Sequence, residues 1–173
     1  VIVRYNSDGS LDAAFGAGGK VTTPIGTSTD AATAVALQRD GKIVAAGQTL
    51  IGTITHSAVL RYNPNGSLDT TFDGDGIVVT TTDTSFTENS FEAVAIQANG
   101  KIVTAGYAGG VGKVVRYKTN GSLDNTGSFR WGTTGIVTAD YTYAGAVAIQ
   151  PNGKIVAAGY AGSTVTTPNH FAV

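Results

Sequence analysis

The sequence predicts an all-β protein built from three copies of one four-stranded antiparallel unit. Two observations lead to this prediction: three sequence words recur in the same order along the chain, and the composition suits short strands joined by tight turns. Glycine occurs 24 times in 173 residues, while only 13% of the residues are charged. Frequent turn residues combined with few charges are typical of strands and hairpins and unusual for surface helices.

The three words recur at near-constant spacing. The first runs from Arg-Tyr to Ser-Leu-Asp, the second from Ala-Val-Ala to Ala-Gly, and the third begins at a phenylalanine. Copies of the first word occupy residues 4–12, 61–69 and 116–124. Copies of the second occupy residues 34–47, 93–106 and 146–159. Copies of the third occupy residues 15–23, 72–80 and, two residues longer, 129–139. Recurrence within one chain indicates a repeat architecture. We therefore predict a single repeat array over residues 1–173, with boundaries near 4–60, 61–115 and 116–173.

Each repeat contains four predicted strands, named A to D in chain order. In the first repeat they are residues 20–23 (A), 34–38 (B), 42–46 (C) and, after a longer loop, 58–62 (D). Strands B and C carry apolar residues on both alternating faces, which requires burial on both sides of the sheet. Stacked sheets meet this requirement, so each four-stranded unit is predicted to be a blade of a β-propeller-like array.

The connection between strands B and C predicts a tight hairpin in every repeat. It reads Gln-x-Asp/Asn-Gly-Lys, and Asp-Gly and Asn-Gly are strong hairpin signals. In the third copy Pro151 suits the second position of a type I turn and leaves Gly153 in the left-handed position. We expect Gly41, Gly100 and Gly153 to have positive φ angles.

Three linked words, with the segments between them, cover nearly the whole chain. They read Arg-Tyr-Asn-x-x-Gly-Ser-Leu-Asp, Phe-Gly-x-Gly-Gly-Lys-Val and Ala-Val-Ala-Leu-Gln-x-Asp-Gly-Lys-Ile. Together they resemble the delta-60 repeat, a bacterial propeller-like family of unknown function. The resemblance implies a blade fold, usually within large exported proteins, and it brings no catalytic residues. The third repeat departs from the pattern, with Lys118 in place of Asn and an irregular segment at 128–132.

In an up-and-down blade, the B–C and D–A connections lie at one edge of the array, which we call the hairpin rim. The A–B and C–D connections lie at the other, which we call the variable rim because their length and content differ between repeats. These loops span residues 24–32, 81–91 and 140–145 (A–B) and 48–55, 107–112 and 160–169 (C–D). Repeat proteins often collect insertions on a binding face, although drift of unconstrained loops explains the variation equally well.

Four side chains are weak binding candidates at the variable rim. Tyr107 and Tyr160 stand in matching Ala-Gly-Tyr-Ala-Gly contexts and could form a platform for a sugar, or simply pack over the top of a blade. His56 and His170 both precede strand D but belong to different repeats, which makes a poor metal site. Trp131 is expected to fill a gap in the irregular third D–A segment, and the arginine of each Arg-Tyr pair to be scaffold.

No cofactor is predicted. Asp73 and Asp75 are weak calcium candidates because carboxylates separated by glycine can converge on a hard cation. The terminal Glu of a complete calcium loop is missing, and the same residues make ordinary turns. The chain has no cysteine for thiolate ligands or disulfides.

The net charge of −1 is spread thinly, which argues against nucleic-acid binding. No apolar run reaches the length needed to insert into a membrane. The Gly/Thr/Asn-rich, cysteine-free composition favours an extracellular or cell-surface bacterial location.

The functional expectation is a non-catalytic structural or adhesive module that binds a protein or glycan through its variable rim. The alternatives are a lectin-like small-ligand module and, from another class, an enzyme with a site at the propeller axis. Closed propellers need four to eight blades. Three blades are therefore expected to associate with further repeats or with a second copy, as a fragment of a longer chain or as half of a propeller.

Overall fold

The structure, a computed structural model, describes residues 1–81, 88–127, 130–138 and 142–161, together with the backbone of 170–172. Within these ranges the chain forms thirteen β-strands and no helix. The strands are β1 (Ile2–Val3), β2 (Lys20–Val21), β3 (Asp30–Leu37), β4 (Ile43–Ile51), β5 (Ile54–Tyr62), β6 (Ile77–Thr80), β7 (Asn89–Ile96), β8 (Ile102–Ala108), β9 (Val111–Tyr117), β10 (Ile136–Thr138), β11 (Tyr143–Ile149), β12 (Ile155–Ala161) and β13 (His170–Ala172). No helix that could cross a bilayer occurs in these ranges.

The strands form antiparallel sheets in the order predicted for blades. Two sheets have four strands, β3-β4-β5-β6 and β7-β8-β9-β10, which we call blade 1 and blade 2. Blade 3 contains β11-β12-β13, and a half-blade at the other end contains β1-β2. The all-β, antiparallel, blade-like fold class is therefore confirmed.

The composition of each sheet differs from the prediction by one strand. Strand A pairs with strand D of the preceding repeat, as β2 does with β1, β6 with β5 and β10 with β9. The described chain therefore contains two complete four-stranded sheets between two partial ones, instead of three complete blades. The reason is that the D–A segment folds back on itself, with Tyr62 bridged to Leu68 and the Arg61 amide donating to the Gly76 carbonyl. The A–B segment is consequently the crossover between sheets, and both rims keep their predicted connections.

The predicted hairpin geometry is confirmed. Gly41, Gly100 and Gly153 all have φ of 83°. In each hairpin the amide of this glycine donates to the carbonyl of the glutamine three residues earlier, and the glutamine amide donates back to the lysine carbonyl. The side-chain amide of Gln38 also reaches the Gly100 carbonyl of the next blade, so the hairpins are linked along the hairpin rim.

The core lies between the sheets, because each strand B packs against the preceding blade. β7 contacts β3, β4 and β5, and β11 contacts β7, β8 and β9. Between blades 1 and 2 the buried cluster joins side chains of both sheets, namely Val44, Ala46, Val59, Phe91, Ile102, Val115 and Tyr117. The corresponding cluster between blades 2 and 3 contains Val103, Ala105, Val114 and Ala144. Apolar residues on both strand faces are thus buried by stacking.

The first word supplies a repeated ion pair at the hairpin rim. Nε of Arg61 donates to Oδ2 of Asp69 at 2.6 Å, and the guanidinium lies 4.6 Å above the centre of the Phe72 ring. The same arginine donates to the Thr119 carbonyl of the next repeat at 2.6 Å. Equivalent Arg–Asp–aromatic sets occur in the other two copies, at Arg4, Asp12 and Phe15, and at Arg116, Asp124 and Trp131. The repeated arginine is therefore part of the scaffold, as expected.

Trp131 changes the alignment of the third word. It packs beneath Arg116, and its amide donates to the Asp124 carbonyl at 2.7 Å, as the Phe72 amide does to Asp69 at 3.0 Å. The third word therefore starts at Trp131, not at Phe129, and has the same length as the second. The two extra residues precede it, and Phe129 lies outside the described residues.

Candidate binding site at the variable rim

The two predicted tyrosines lie at the variable rim on neighbouring blades. Tyr107 is near the end of β8 and Tyr160 is near the end of β12, each directly after the glycine that ends the second word. Tyr143, the first residue of β11, is the cross-strand partner of Tyr160. Cross-strand partners in an antiparallel pair project from the same face of the sheet. The hairpin thus brings Tyr143 beside Tyr160.

The three tyrosines form a continuous stack across the junction of blades 2 and 3. The ring centres of Tyr107 and Tyr143 are 5.6 Å apart with an interplanar angle of 32°. Those of Tyr143 and Tyr160 are 5.5 Å apart at 23°. Tyr143 occupies the middle of the stack, and Tyr160, at one end of it, is 44% exposed.

A groove of about 350 Å³ runs along this stack. Besides the three rings it is lined by Glu88, Gly110 and Thr142. The Glu88 carbonyl accepts a hydrogen bond from the Gly109 amide, which joins the loop before β7 to the β8–β9 turn. The groove therefore combines aromatic faces, phenolic hydroxyls and a carboxylate, which is a typical composition for a small polar ligand site.

Two glutamates make the electrostatic environment of the groove negative. Partial burial raises the pKa of the Tyr143 hydroxyl, and the charge of Glu92 and a hydrogen bond to it raise this pKa further. Burial also raises the pKa of Tyr107, with additional contributions from Glu92 and Glu88. Both phenols remain neutral donors at physiological pH. Among the residues that the structure describes, no ion pair involves Glu88 or Glu92.

Glu92 reaches Tyr143 because of a β-bulge in strand B. The register between β7 and β8 shifts between Phe91 and Ala93, so Glu92 has no cross-strand partner. Thr33 is at the equivalent bulge of blade 1, and its hydroxyl donates to the Phe91 carbonyl of blade 2. In both cases the bulged residue contacts the first strand of the next blade.

The predicted histidine His56 does not join this site. His56 lies at the start of β5 on blade 1, where its Nδ1 is 3.4 Å from the Thr81 hydroxyl. His170 begins β13, and its side chain is outside the described part of the structure. Much of the predicted A–B loop that starts at Thr81 is also outside it.

The calcium candidates lie in a turn at the hairpin rim. Oδ1 of Asp75 accepts the Ile77 amide at 2.8 Å, and the Asp73 amide donates to the Asn120 carbonyl at 2.8 Å. Asp73 has a φ of 54°, so it occupies the left-handed position of the turn. Within the described ranges, no three histidine, aspartate, glutamate or cysteine side chains gather as metal ligands would. The local turn contacts account for these two aspartates.

Tyr143, Glu88 and Glu92 were not predicted from the sequence. Tyr143 has no repeated counterpart, since Ala31 and Ser90 occupy its position in the other blades. Counting outward from the hairpin at Gly153 places either Tyr143 or Ala144 opposite Tyr160, and the bulge decides between them. Register counting alone therefore leaves two alternatives, and the bulge makes Tyr143 the third member of the stack.

A family model described as "Domain of unknown function (DUF5122) beta-propeller" matches residues 1–15, 38–72, 97–126 and 150–173, more than half of the chain. The chain belongs to this family. Membership confirms the propeller-like repeat family of unknown function that the three words resemble. Tyr107 and Tyr160 lie in segments that match the beta-propeller family model, whereas Glu88, Glu92 and Tyr143 lie in segments that do not. No curated protein matches the chain.

Proposed function

We propose that this chain is a non-catalytic binding module of an exported or cell-surface bacterial protein, and that its variable rim holds a glycan against the tyrosine stack. The observation that carries the proposal is the continuous stack of Tyr107, Tyr143 and Tyr160 along an open groove. The three rings come from two blades, so the array is required to assemble the site.

A saccharide suits the groove because it has both apolar faces and hydroxyl edges. The exposed ring of Tyr160 can receive the C–H face of a pyranose ring, an arrangement that tyrosine favours because its ring is apolar and its tip polar. The hydroxyls of Tyr107 and Tyr143 and the Glu88 carboxylate can pair with sugar hydroxyls. Repeated scaffold residues hold the blades, so the groove can differ between relatives without loss of the fold.

A binding role fits the groove better than glycoside hydrolysis does. Hydrolysis requires two carboxyl groups on opposite sides of the bond that is cleaved. Glu88 is the carboxylate among the described residues that line the groove, whereas Glu92 is close to Tyr143 outside that lining. This arrangement of the two glutamates favours binding of a glycan over its cleavage. We therefore expect bound oligosaccharides to be recovered intact.

The test is a glycan array followed by calorimetric titration of the best ligand with wild-type protein. We expect Tyr160→Ala to weaken binding about tenfold, since loss of an aromatic stacking partner removes about 1.4 kcal/mol. Tyr5→Ala is the matched control, because Tyr5 is 63% exposed in the half-blade and lies at the hairpin rim. Equal effects of the two substitutions, or binding of no glycan, would overturn the proposal.

A second candidate function is structural, namely assembly with another copy of the chain through the outer face of blade 1. Val35 and Leu37 on β3 are 61% and 71% exposed. Their equivalents on β7, Val94 and Ile96, pack against the core cluster between blades 1 and 2. The same face is thus covered by a preceding blade wherever the chain supplies one.

The partner surface for this assembly is the outer face of blade 3. Ala146 and Ala148 on β11 are exposed there, and they correspond to Ala34 and Ala36 of blade 1, on the side that receives blade 2. A face of small residues on one copy therefore matches a face of larger apolar residues on the next. This head-to-tail contact would repeat the geometry of the internal junctions.

Sedimentation velocity over a range of protein concentrations tests this assembly. We expect the wild-type chain to associate and Leu37→Asp to remain monomeric, because the contact would bury an unpaired charge. Ile51→Asp is the control, since Ile51 is 42% exposed at the end of β4 on the variable rim, whereas Leu37 lies at the opposite end of the blade. A wild-type chain that stays monomeric at the highest concentration would exclude this candidate.

A further inference from the structure

We infer that the ligand of the tyrosine stack is an amine-bearing saccharide, whose sugar ring lies on Tyr160 and whose ammonium group is bound by Glu88. The inference rests on the proposed function and specifies its ligand class. It depends on two independent features of the groove, the shape of the aromatic surface and the sign of the charge beside it.

The shape of the aromatic surface selects a flat ligand. Interplanar angles of 32° and 23° make the three rings a stack in which each inner face is covered by the neighbouring ring. A cage for a compact quaternary ammonium ion needs several ring faces directed at one point. Here the three rings lie one behind another, and Tyr160, the most exposed of them, ends the stack as a flat plate. A pyranose ring matches such a plate, and a compact cation alone does not.

The charge beside the plate selects a cation on that ring. Glu88 lines the same groove as the tyrosines, and its backbone is held by the Gly109 amide at 3.3 Å. Glu92 is close to Tyr143 and adds a second negative charge, which contributes to the raised pKa of the Tyr143 hydroxyl. An ammonium group that binds Glu88 would make a charge-assisted hydrogen bond, which is stronger than a bond between neutral groups.

The nearest described cation on the adjoining strand does not neutralise the groove. Lys113 of β9 is the cross-strand partner of Gly106 and the neighbour of Gly112, which pairs with Tyr107. Its Nζ donates to the Thr138 hydroxyl of β10 at 3.0 Å. Side chains alternate along β9, and Val115 lies in the cluster between blades 1 and 2, so Lys113 projects from the face of blade 2 opposite to blade 3. The groove therefore keeps the negative charge of its two glutamates.

The experiment compares a chitosan oligosaccharide with its N-acetylated counterpart of the same length, by calorimetric titration at a pH where the amines are protonated. The two probes share their sugar rings and linkages and differ in the charge at each amine. We expect the chitosan probe to bind about tenfold more tightly, the range of one charge-assisted hydrogen bond. Equal affinity for the two probes would overturn the amine inference and leave the glycan-binding proposal intact.

Single substitutions test the charge beside the stack and the aromatic surface separately. Glu88→Gln should reduce the preference for the chitosan probe to about unity, because it removes the charge and keeps the shape. Tyr160→Ala should lower the affinity for both probes by a similar factor. Asp40→Asn is the control for charge alone, since Asp40 is exposed at the hairpin rim and its backbone cap on Lys42 survives the substitution.

Two further outcomes would count against the inference. A lysine oligopeptide that binds as tightly as the chitosan probe would show that charge alone is recognised. A chitosan preference that persists in Glu88→Gln and disappears in Asp40→Asn would place the cation at the hairpin rim. If neither saccharide binds wild-type protein, the amine inference fails, and the glycan array decides the proposed function separately.

Discussion

The Arg–Asp–aromatic set shows how one residue type can be repeated for its structural role. Burial alone would raise the pKa of Asp69, but hydrogen bonds from Thr71 and Lys42 and the charge of Arg61 hold it well below its usual range. Its carboxylate is 5% exposed and the Arg61 side chain 6%. A buried charge of this kind is stable only while its partner is present.

Asp69→Asn should therefore lower the free energy of unfolding by about 3–5 kcal/mol, because it leaves the Arg61 charge buried without a counter-charge. Asp12→Asn is the matched control in the half-blade, where the side chains of Arg4 and Asp12 are 34% and 25% exposed. It should cost less than about 1 kcal/mol. Urea denaturation at neutral pH measures both. Similar costs for the two variants would contradict the structural role of burial.

The same pair predicts acid sensitivity. A carboxyl whose pKa is lowered by folding contributes stability above its unfolded pKa of about 3.9, and this contribution is lost as the pH falls toward the folded value. The wild-type chain should thus lose stability steadily below about pH 4. Asp69→Asn should lose less over that interval, since the substituted side chain does not titrate. Thermal unfolding as a function of pH checks this difference.

Tyr117 predicts a complementary effect at high pH. Its ring is fully buried against Phe91, its hydroxyl bonds the Thr80 hydroxyl, and burial raises its pKa well above the ordinary value. Above about pH 10 the unfolded chain releases this proton while the folded chain retains it, so stability falls as the pH rises. Tyr117→Phe should flatten this alkaline decline, at a cost of about 1 kcal/mol at neutral pH from the lost hydrogen bond. Tyr5→Phe, at an exposed site, should leave the decline unchanged.

Within each strand pair, glycine serves two different purposes. The hairpin glycines adopt positive φ, as the Asp-Gly and Asn-Gly signals predict. Gly106 of β8 does not have positive φ, and a Cβ atom there would overlap the Ser90 carbonyl oxygen of β7. Gly47 and Gly159 meet Ala31 and Tyr143 in the same way. The glycine that ends the second word is needed because the bulged strand approaches it closely.

Gly106→Ala should destabilise the chain by about 3 kcal/mol, since the overlapping atom belongs to the backbone and the strand must shift. Gly52→Ala is the control. Gly52 has a φ of 65° at the tip of the β4–β5 turn, and a Cβ there would meet nothing within 4 Å. Its cost should be about 1 kcal/mol of backbone strain alone. Chemical denaturation of both variants provides the comparison, and a larger cost at Gly52 would refute the close-approach argument.

Local patterns in the sequence predict the hairpins well and the pairing of strand A poorly. Strands B and C are joined by five residues whose turn chemistry determines their register, so Gly41 and its counterparts were predicted correctly. Strand A is four residues or fewer in the described blades and lies between two irregular segments, a longer one before it and a shorter one after it. Nothing in its own residues distinguishes pairing with the preceding strand D from pairing with the following strand B. Only the return of Leu68 onto Tyr62 decides it.

The residues of the tyrosine site likewise fall into those that the sequence predicts and those that it does not. Tyr107 and Tyr160 were predicted because they follow a repeated glycine at the variable rim. Tyr143 and Glu92 depend on the β-bulge, an extra residue that local sequence does not reveal because the bulged positions hold Thr33, Glu92 and Gly145. Residues brought together by stacking of separate sheets are likewise not evident from spacing along the chain.

Across the array as a whole, equivalent positions have different surroundings, and this difference can be measured. Ile96 packs into the cluster between blades 1 and 2, whereas Leu37 at the equivalent position of blade 1 is 71% exposed. Ile96→Ala should cost about 2–4 kcal/mol, and Leu37→Ala less than about 0.5 kcal/mol in dilute solution.

Protein concentration should change that comparison. If a second copy covers blade 1, the cost of Leu37→Ala should rise as the concentration increases, because the association stabilises the folded wild-type chain. Thermal denaturation at low and high concentration measures this change. A cost for Leu37→Ala that is independent of concentration would contradict assembly through this face.

The one-strand offset between repeat and sheet has a consequence for how such a chain can change in length. Each repeat completes the sheet of its predecessor with β2, β6 or β10 and then begins a sheet of its own. Duplication of one whole repeat within the gene would thus insert a new sheet without leaving its neighbours a strand short. Deletion of one whole repeat would also leave no sheet short, because strand A of the following repeat would pair with strand D of the preceding one. Lengthening and shortening by whole units would therefore preserve every internal hydrogen-bonded ladder, and the unit of inheritance can differ from the unit of folding.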